Sequence, residues 1–113
     1  MHRLTFGEAV DAAKQGNVIV REGWNGKGMF VFMRPGDELP VNTLLSVKSL
    51  PKKVKDYYEL KHMPITHGKN PWIKFTPYLC MKTADDNIVN GWLPSQTDIL
   101  TEDWSVINGF DFI

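Results

Sequence analysis

Three features of this 113-residue chain predict an α+β fold with a mainly antiparallel β-sheet. It opens with a short capped helix carrying one apolar stripe. It continues in adjacent strand-like runs joined by Asn-Gly turns, without the regular strand–helix alternation of a parallel sheet. A second short helix, capped by a serine, precedes the last strand-like run. A helix with one apolar stripe must cover something, and a sheet is the surface the rest of the chain offers.

The first helix is read at about 5–15, in "LTFGEAVDAAKQG". Thr5 caps it and Glu8, three residues on, closes a capping box. Phe6, Ala9, Val10 and Ala13 share a face. Gly16 suits the left-handed position that ends helices. "NVIVR" (17–21) is a β-branched run and hence a strand, and "MFVFM" (29–33) reads as a strand buried on both faces or nearly so. "RPGDELP" (34–40) reads as a loop. Residues 41–77 are less legible: "VNTLLSVKSL" fits strand or short helix, Val54, Tyr57, Tyr58 and Lys61 make a weak helical pattern, and "PITHGKNPW" is turn chemistry.

Order returns with a strand at Tyr78–Thr83, which pairs as a hairpin with Ile88–Trp92. "PSQTDIL" gives one or two helical turns with Ser95 as cap and Asp98 in the first turn, where the helix dipole favours an acid. A final strand at 102–107 ends in a third Asn-Gly, Asn108–Gly109. The expected organisation is one domain over 1–113, with residues 34–77 as a variable basic insertion on a smaller core.

Thirteen basic and thirteen acidic residues cancel, so no global field draws the chain to nucleic acid or membrane. Their distribution is uneven. Residues 42–74 hold seven lysines against Asp56 and Glu59, whereas residues 75–113 hold Lys82 against six acids. Cys80 is the single cysteine, which excludes an internal disulfide and fits a reducing cytosolic setting. The first residues lack the apolar run of a signal peptide.

The side chains argue against common catalytic machinery. His62, His67, His2 and Cys80 do not show the paired spacing of zinc ligands, so no metal is expected. Cys80 sits between Leu79 and Met81 as a small hydrophobe, and no Gly-x-Ser-x-Gly occurs. Asp98, Glu102 and Asp103 leave an acid–base pair open. "GWNGKG" lacks the Walker spacing and lies between strands, yet its glycines and Lys27 fit a local anion nest. Trp24 and Trp92 adjoin turns, where aromatic faces can stack on bases. With polar ends from Gln96, Thr97 or Asp98, these features describe a nucleotide-like ligand.

"REGWNGKGMFVF" together with "YLCMKTADDNIVNGWLPSQTDILTEDWSVI" resembles the phage family first grouped as a domain of unknown function and now called Thoeris anti-defence 2-like. The shared pattern stands here as Trp24–Lys27, Met81–Asp85, Gly91–Trp92, Ser95–Asp98 and Glu102–Trp104, covering about 4–33 and 78–107. Residues 34–77 fall outside the resemblance.

The resemblance implies a non-catalytic sponge without cofactors that acts in the cytosol of an infected bacterium. It would bind glyco-cyclic ADP-ribose or, as some members do, cyclic dinucleotides, and so starve Thoeris-type or CBASS-type effectors of their signal. It implies a homotetramer, a dimer of dimers, with pockets between subunits. Carried over, Trp24 would stack on a base, Asn25, Gly26, Lys27 and Gly28 would meet phosphate, and Gln96, Thr97 and Asp98 would make polar contacts. Trp104 is read as core. Two other readings stand beside it: a nucleotide-signal hydrolase using Asp98 or Asp103, and a structural or protein-binding phage module.

Overall fold

A computed structural model describes residues 3–62 and 71–109. In chain order the elements are α1 (Phe6–Lys14), β1 (Val18–Arg21), a 3-10 turn (Glu22–Trp24), β2 (Phe30–Arg34), β3 (Asp37–Pro40), α2 (Val41–Leu44), α3 (Lys52–His62), β4 (Trp72–Phe75), β5 (Tyr78–Lys82), β6 (Ile88–Asn90), α4 (Gln96–Leu100) and β7 (Trp104–Ile107). They fall into two compact units. One runs up to Pro35 and resumes at Pro77, and the other is Gly36–Thr76.

The first unit is a five-stranded sheet in the order β6-β5-β2-β1-β7, antiparallel at every joint. Side chains alternate between its faces. Ile19, Val31, Met81 and Val106 are brought onto one face by the register Ile19↔Val31, Val31↔Met81 and Ile19↔Val106. On that face they form the core with Ala9 and Ala13 of α1 and with Trp104. The helix starts where local chemistry says it should: Thr5 accepts from the Glu8 amide while the Glu8 carboxylate accepts from the Thr5 amide. Gly16 takes φ +94° just past its end.

One expectation for this unit changes. In 29–33 only Val31 is buried; Phe30, Phe32 and Met33 are half-buried. By alternation, Phe30 and Phe32 lie on the face away from α1, together with Val20 and Ile107.

The second unit pairs β3 with β4, from Asp37↔Phe75 to Pro40↔Trp72, and its buried residues are Val41 and Leu44. Here the sequence reading of 34–40 as loop is corrected, since Asp37–Pro40 is a strand. Only Pro35 and Gly36 lie outside the strands; the partner that makes Asp37–Pro40 extended lies more than thirty residues away, beyond local view. The ambiguous 41–50 stretch begins with a single turn of helix, and the weak 54–61 pattern is a real helix. Most of "PITHGKNPW" lies outside the described residues, as do His2 and His67. Among the described residues no helix is long and apolar enough to cross a membrane.

Candidate functional site

The connection between β1 and β2 is more than a two-residue hairpin. The 3-10 turn places Trp24, and Asn25 then adopts the left-handed conformation at φ 57° while its amide bonds the Glu22 carbonyl at 3.0 Å. Gly26 follows at φ +67° and Gly28 at φ +75°. Three positive-φ residues in four explain the sequence, because only Gly and, less readily, Asn adopt this backbone cheaply.

The turn is held from two sides. Lys82 of β5 donates to the Gly28 carbonyl at 2.9 Å, pairs with Asp86 at 3.3 Å and lies 5.8 Å from the centre of the Phe30 ring. On the other side Arg21 is clamped by two acids. Its Nη1 meets Asp98 Oδ1 at 2.7 Å and its Nε meets Asp103 Oδ1 at 3.0 Å. Asp103 Oδ2 accepts the Gly23 amide at 2.8 Å, and Asp98 Oδ2 accepts the Ser95 amide at 2.8 Å. A Cβ on residue 23 would stand 2.7 Å from Arg21 Nη2 and 2.9 Å from Asp103 Oδ2, so a side chain there would have to displace the clamp.

Burial by itself would raise the carboxyls of Asp98 and Asp103. The hydrogen bonds from Ser95 and Arg21 to the first, and from Arg21 and Gly23 to the second, outweigh it and hold both below the usual carboxylate range. The Arg21 guanidinium is raised, first by its bond to Asp103, against the opposing cost of burial. A group whose pKa is depressed on folding adds stability above its unfolded pKa, and that stability is lost as pH falls through the folded value. Urea midpoints should therefore be flat from neutral pH to about pH 5 and decline below about pH 4. Asp98→Asn should show a shallower acid decline than the native chain; equal slopes would refute this role for the ion pair.

Three indoles converge beside this network. Trp104 is fully buried, and Trp24 and Trp92 stand edge-on to it with ring centres 5.2 and 6.4 Å away. Trp24 and Trp92 are 6.2 Å apart at 89°. Both remain half-buried, so each belongs partly to the packing and partly to the surface.

A cavity of about 470 Å³ opens against the turn. Trp24, Gly26, Lys27, Gly28 and Met29 form one wall, and Val20 and Arg21 of β1 with Ile107, Asn108 and Gly109 at the end of β7 form the rest. Four of the residues expected from sequence, Trp24, Gly26, Lys27 and Gly28, thus meet at one cavity. The structure does not bring the other four to its lining. Asn25 is exposed on the turn, Gln96 and Thr97 are exposed on α4, and the Asp98 carboxylate is engaged by Arg21 and Ser95.

Sequence reasoning missed Arg21, Gly23, Lys82 and Asn108. A basic residue ending a β-branched run, with acids clustered 77 and 82 residues later, is the one faint signal for the clamp. Asn108 carried the same Asn-Gly mark as the turn, but nothing local ties the two together.

The chain is a member of the Thoeris anti-defense 2-like family, whose domain model matches residues 4–107. Membership assigns it a phage anti-defence role. A particular relative is Thoeris anti-defense 2 of Bacillus phage SP01, to which the chain is 34% identical over 106 residues, 94% of this chain and 97% of that one. The family match runs through residues 34–77, which the motif resemblance had left out.

Proposed function

We propose that the protein is a non-catalytic binder that sequesters a cyclic nucleotide immune signal, glyco-cyclic ADP-ribose first and cyclic dinucleotides second. It would act in the cytosol of the infected cell, where those signals are made. The observation that carries this reading is the cavity at the Trp24–Gly28 turn. Its volume falls within the range of about 300–1,000 Å³ usual for small-ligand pockets. It offers a half-buried indole for stacking and one exposed lysine. The amides of Gly26 and Gly28 donate to none of the described residues and remain available to an anion.

The same geometry disfavours the hydrolase reading. Asp98 and Asp103 are tied to Arg21 and to main-chain amides, and their depressed pKa values make them weak bases. Because Asp98 is so engaged, we place the polar contacts of Gln96, Thr97 and Asp98 second to those of the turn. We retain the homotetramer as part of the proposal, with the exposed side of the cavity turned toward a second copy.

The experiment is a calorimetric screen against cyclic ADP-ribose isomers and cyclic dinucleotides, followed by chromatography of the ligand recovered after denaturation. Intact recovered ligand is expected, and an altered product would mean an enzyme. Lys27→Ala should weaken binding by about tenfold or more, the worth of a charged hydrogen bond, with an unchanged melting temperature because the side chain is exposed. If no cyclic nucleotide binds, the reading fails and the structural-module alternative takes its place.

A further inference from the structure

The cavity wall can be sorted by which hydrogen-bonding side chains are already engaged. Arg21 is committed to Asp98 and Asp103. The side chains of Lys27 and Asn108 make no hydrogen bond or ion pair among the described residues, and both residues are exposed. Trp24 adds one indole N–H donor, the side chains of Val20, Met29 and Ile107 are apolar, and the glycines add only backbone. Lys27 and Asn108, without side-chain partners among the described residues, thus line one cavity from two separate parts of the chain, the β1–β2 turn and the end of β7. Lys27 has donors only. Asn108 alone carries a donor and an acceptor side by side.

We propose that Asn108 is the specificity-determining side chain of this cavity, and that it reads the polar edge of the base stacked on Trp24. This rests on the nucleotide-binding reading given above and deepens it. A carboxamide matches an edge that shows an amino donor next to a ring-nitrogen acceptor, as an amino-purine does. On the Hoogsteen edge, N7 with the group at C6, an oxo-purine shows two acceptors, which calls for two donors and leaves the Asn108 oxygen facing a like partner. Lys27 serves the anionic part of the ligand and cannot tell the two bases apart, since its charge meets phosphate.

The test measures affinities of the full chain for glyco-cyclic ADP-ribose and for its hypoxanthine counterpart by calorimetry. The native protein should prefer the amino-purine form by about tenfold or more. Asn108→Leu should bind both forms with nearly equal affinity at an unchanged melting temperature, because the side chain is exposed. Asn108→Gln, which keeps the carboxamide, should restore part of the preference. A preference that survives in Asn108→Leu, or is absent from the native protein while both ligands bind, overturns the assignment and leaves the binding reading standing. Failure of the native protein to bind either ligand sinks the binding reading and this inference with it.

Discussion

Trp104→Ala is expected to remove about 3–5 kcal/mol of folding stability, the usual cost of emptying a site this large in a close-packed core. The indole is fully buried and packs against the tilted ring of Phe6 of α1 at 5.5 Å as well as edge-on against Trp24 and Trp92. Its Nε1 donates to the Asp98 carbonyl at 2.8 Å, joining the last strand to α4. Its backbone pairs on both sides, with Arg21 in β1 and with Leu4 ahead of α1. Such a loss is a large part of the roughly 5–15 kcal/mol a domain possesses. Trp104→Phe keeps most of the packing but drops the hydrogen bond and should cost about 1–3 kcal/mol. Urea titrations of the three proteins provide the check, and a loss under about 1 kcal/mol in Trp104→Ala would contradict this account.

Arg21→Met is expected to cost about 3 kcal/mol, because it leaves two carboxylates facing each other without the cation between them. The three side chains are only 11%, 11% and 17% exposed for Arg21, Asp98 and Asp103, so water screens the orphaned charges poorly. The variant should also weaken ligand binding, since the same ion pair anchors Asp103 under the Gly23 amide and so positions the turn that carries Trp24. Arg21→Lys should recover part of the stability and little more, because one ammonium cannot replace the planar fork that serves both acids. Equal midpoints for Arg21→Met and the native chain would show that the cluster is ornamental. The acid titration of Asp98→Asn reports on the same cluster by an independent route.

The tryptophans show how far a sequence can be read. Trp24 and Trp92 adjoin turns, which suggested open aromatic faces, while Trp104 within a strand suggested core. Only the second inference carries over without change. The two turn indoles lean on Trp104, so stacking capacity and packing share the same rings. Under the proposed binding function a Trp24 variant would mix lost binding with lost stability, which is why Lys27 and Asn108 are the cleaner probes.

What the chain determines by itself is whatever rests on contacts within a few residues. The Thr5–Glu8 capping box, the Ser95 cap and the helix stop at Gly16 appear where their residues predict, and the Asp98 half of the second capping box and the left-handed Asn25–Gly26 step are equally local. The antiparallel class follows from the order of strands and turns. Tertiary structure decided what depends on partners far along the chain: that Asp37–Pro40 is extended, that Lys82 holds Gly28, that Arg21 joins acids 77 and 82 residues away, and that Asn108 and Trp24 line one cavity. The physical reason is that capping and backbone conformation are set by neighbours in sequence. Ion-pair geometry and cavity walls are set by which strands lie side by side, and no short stretch of residues carries that information.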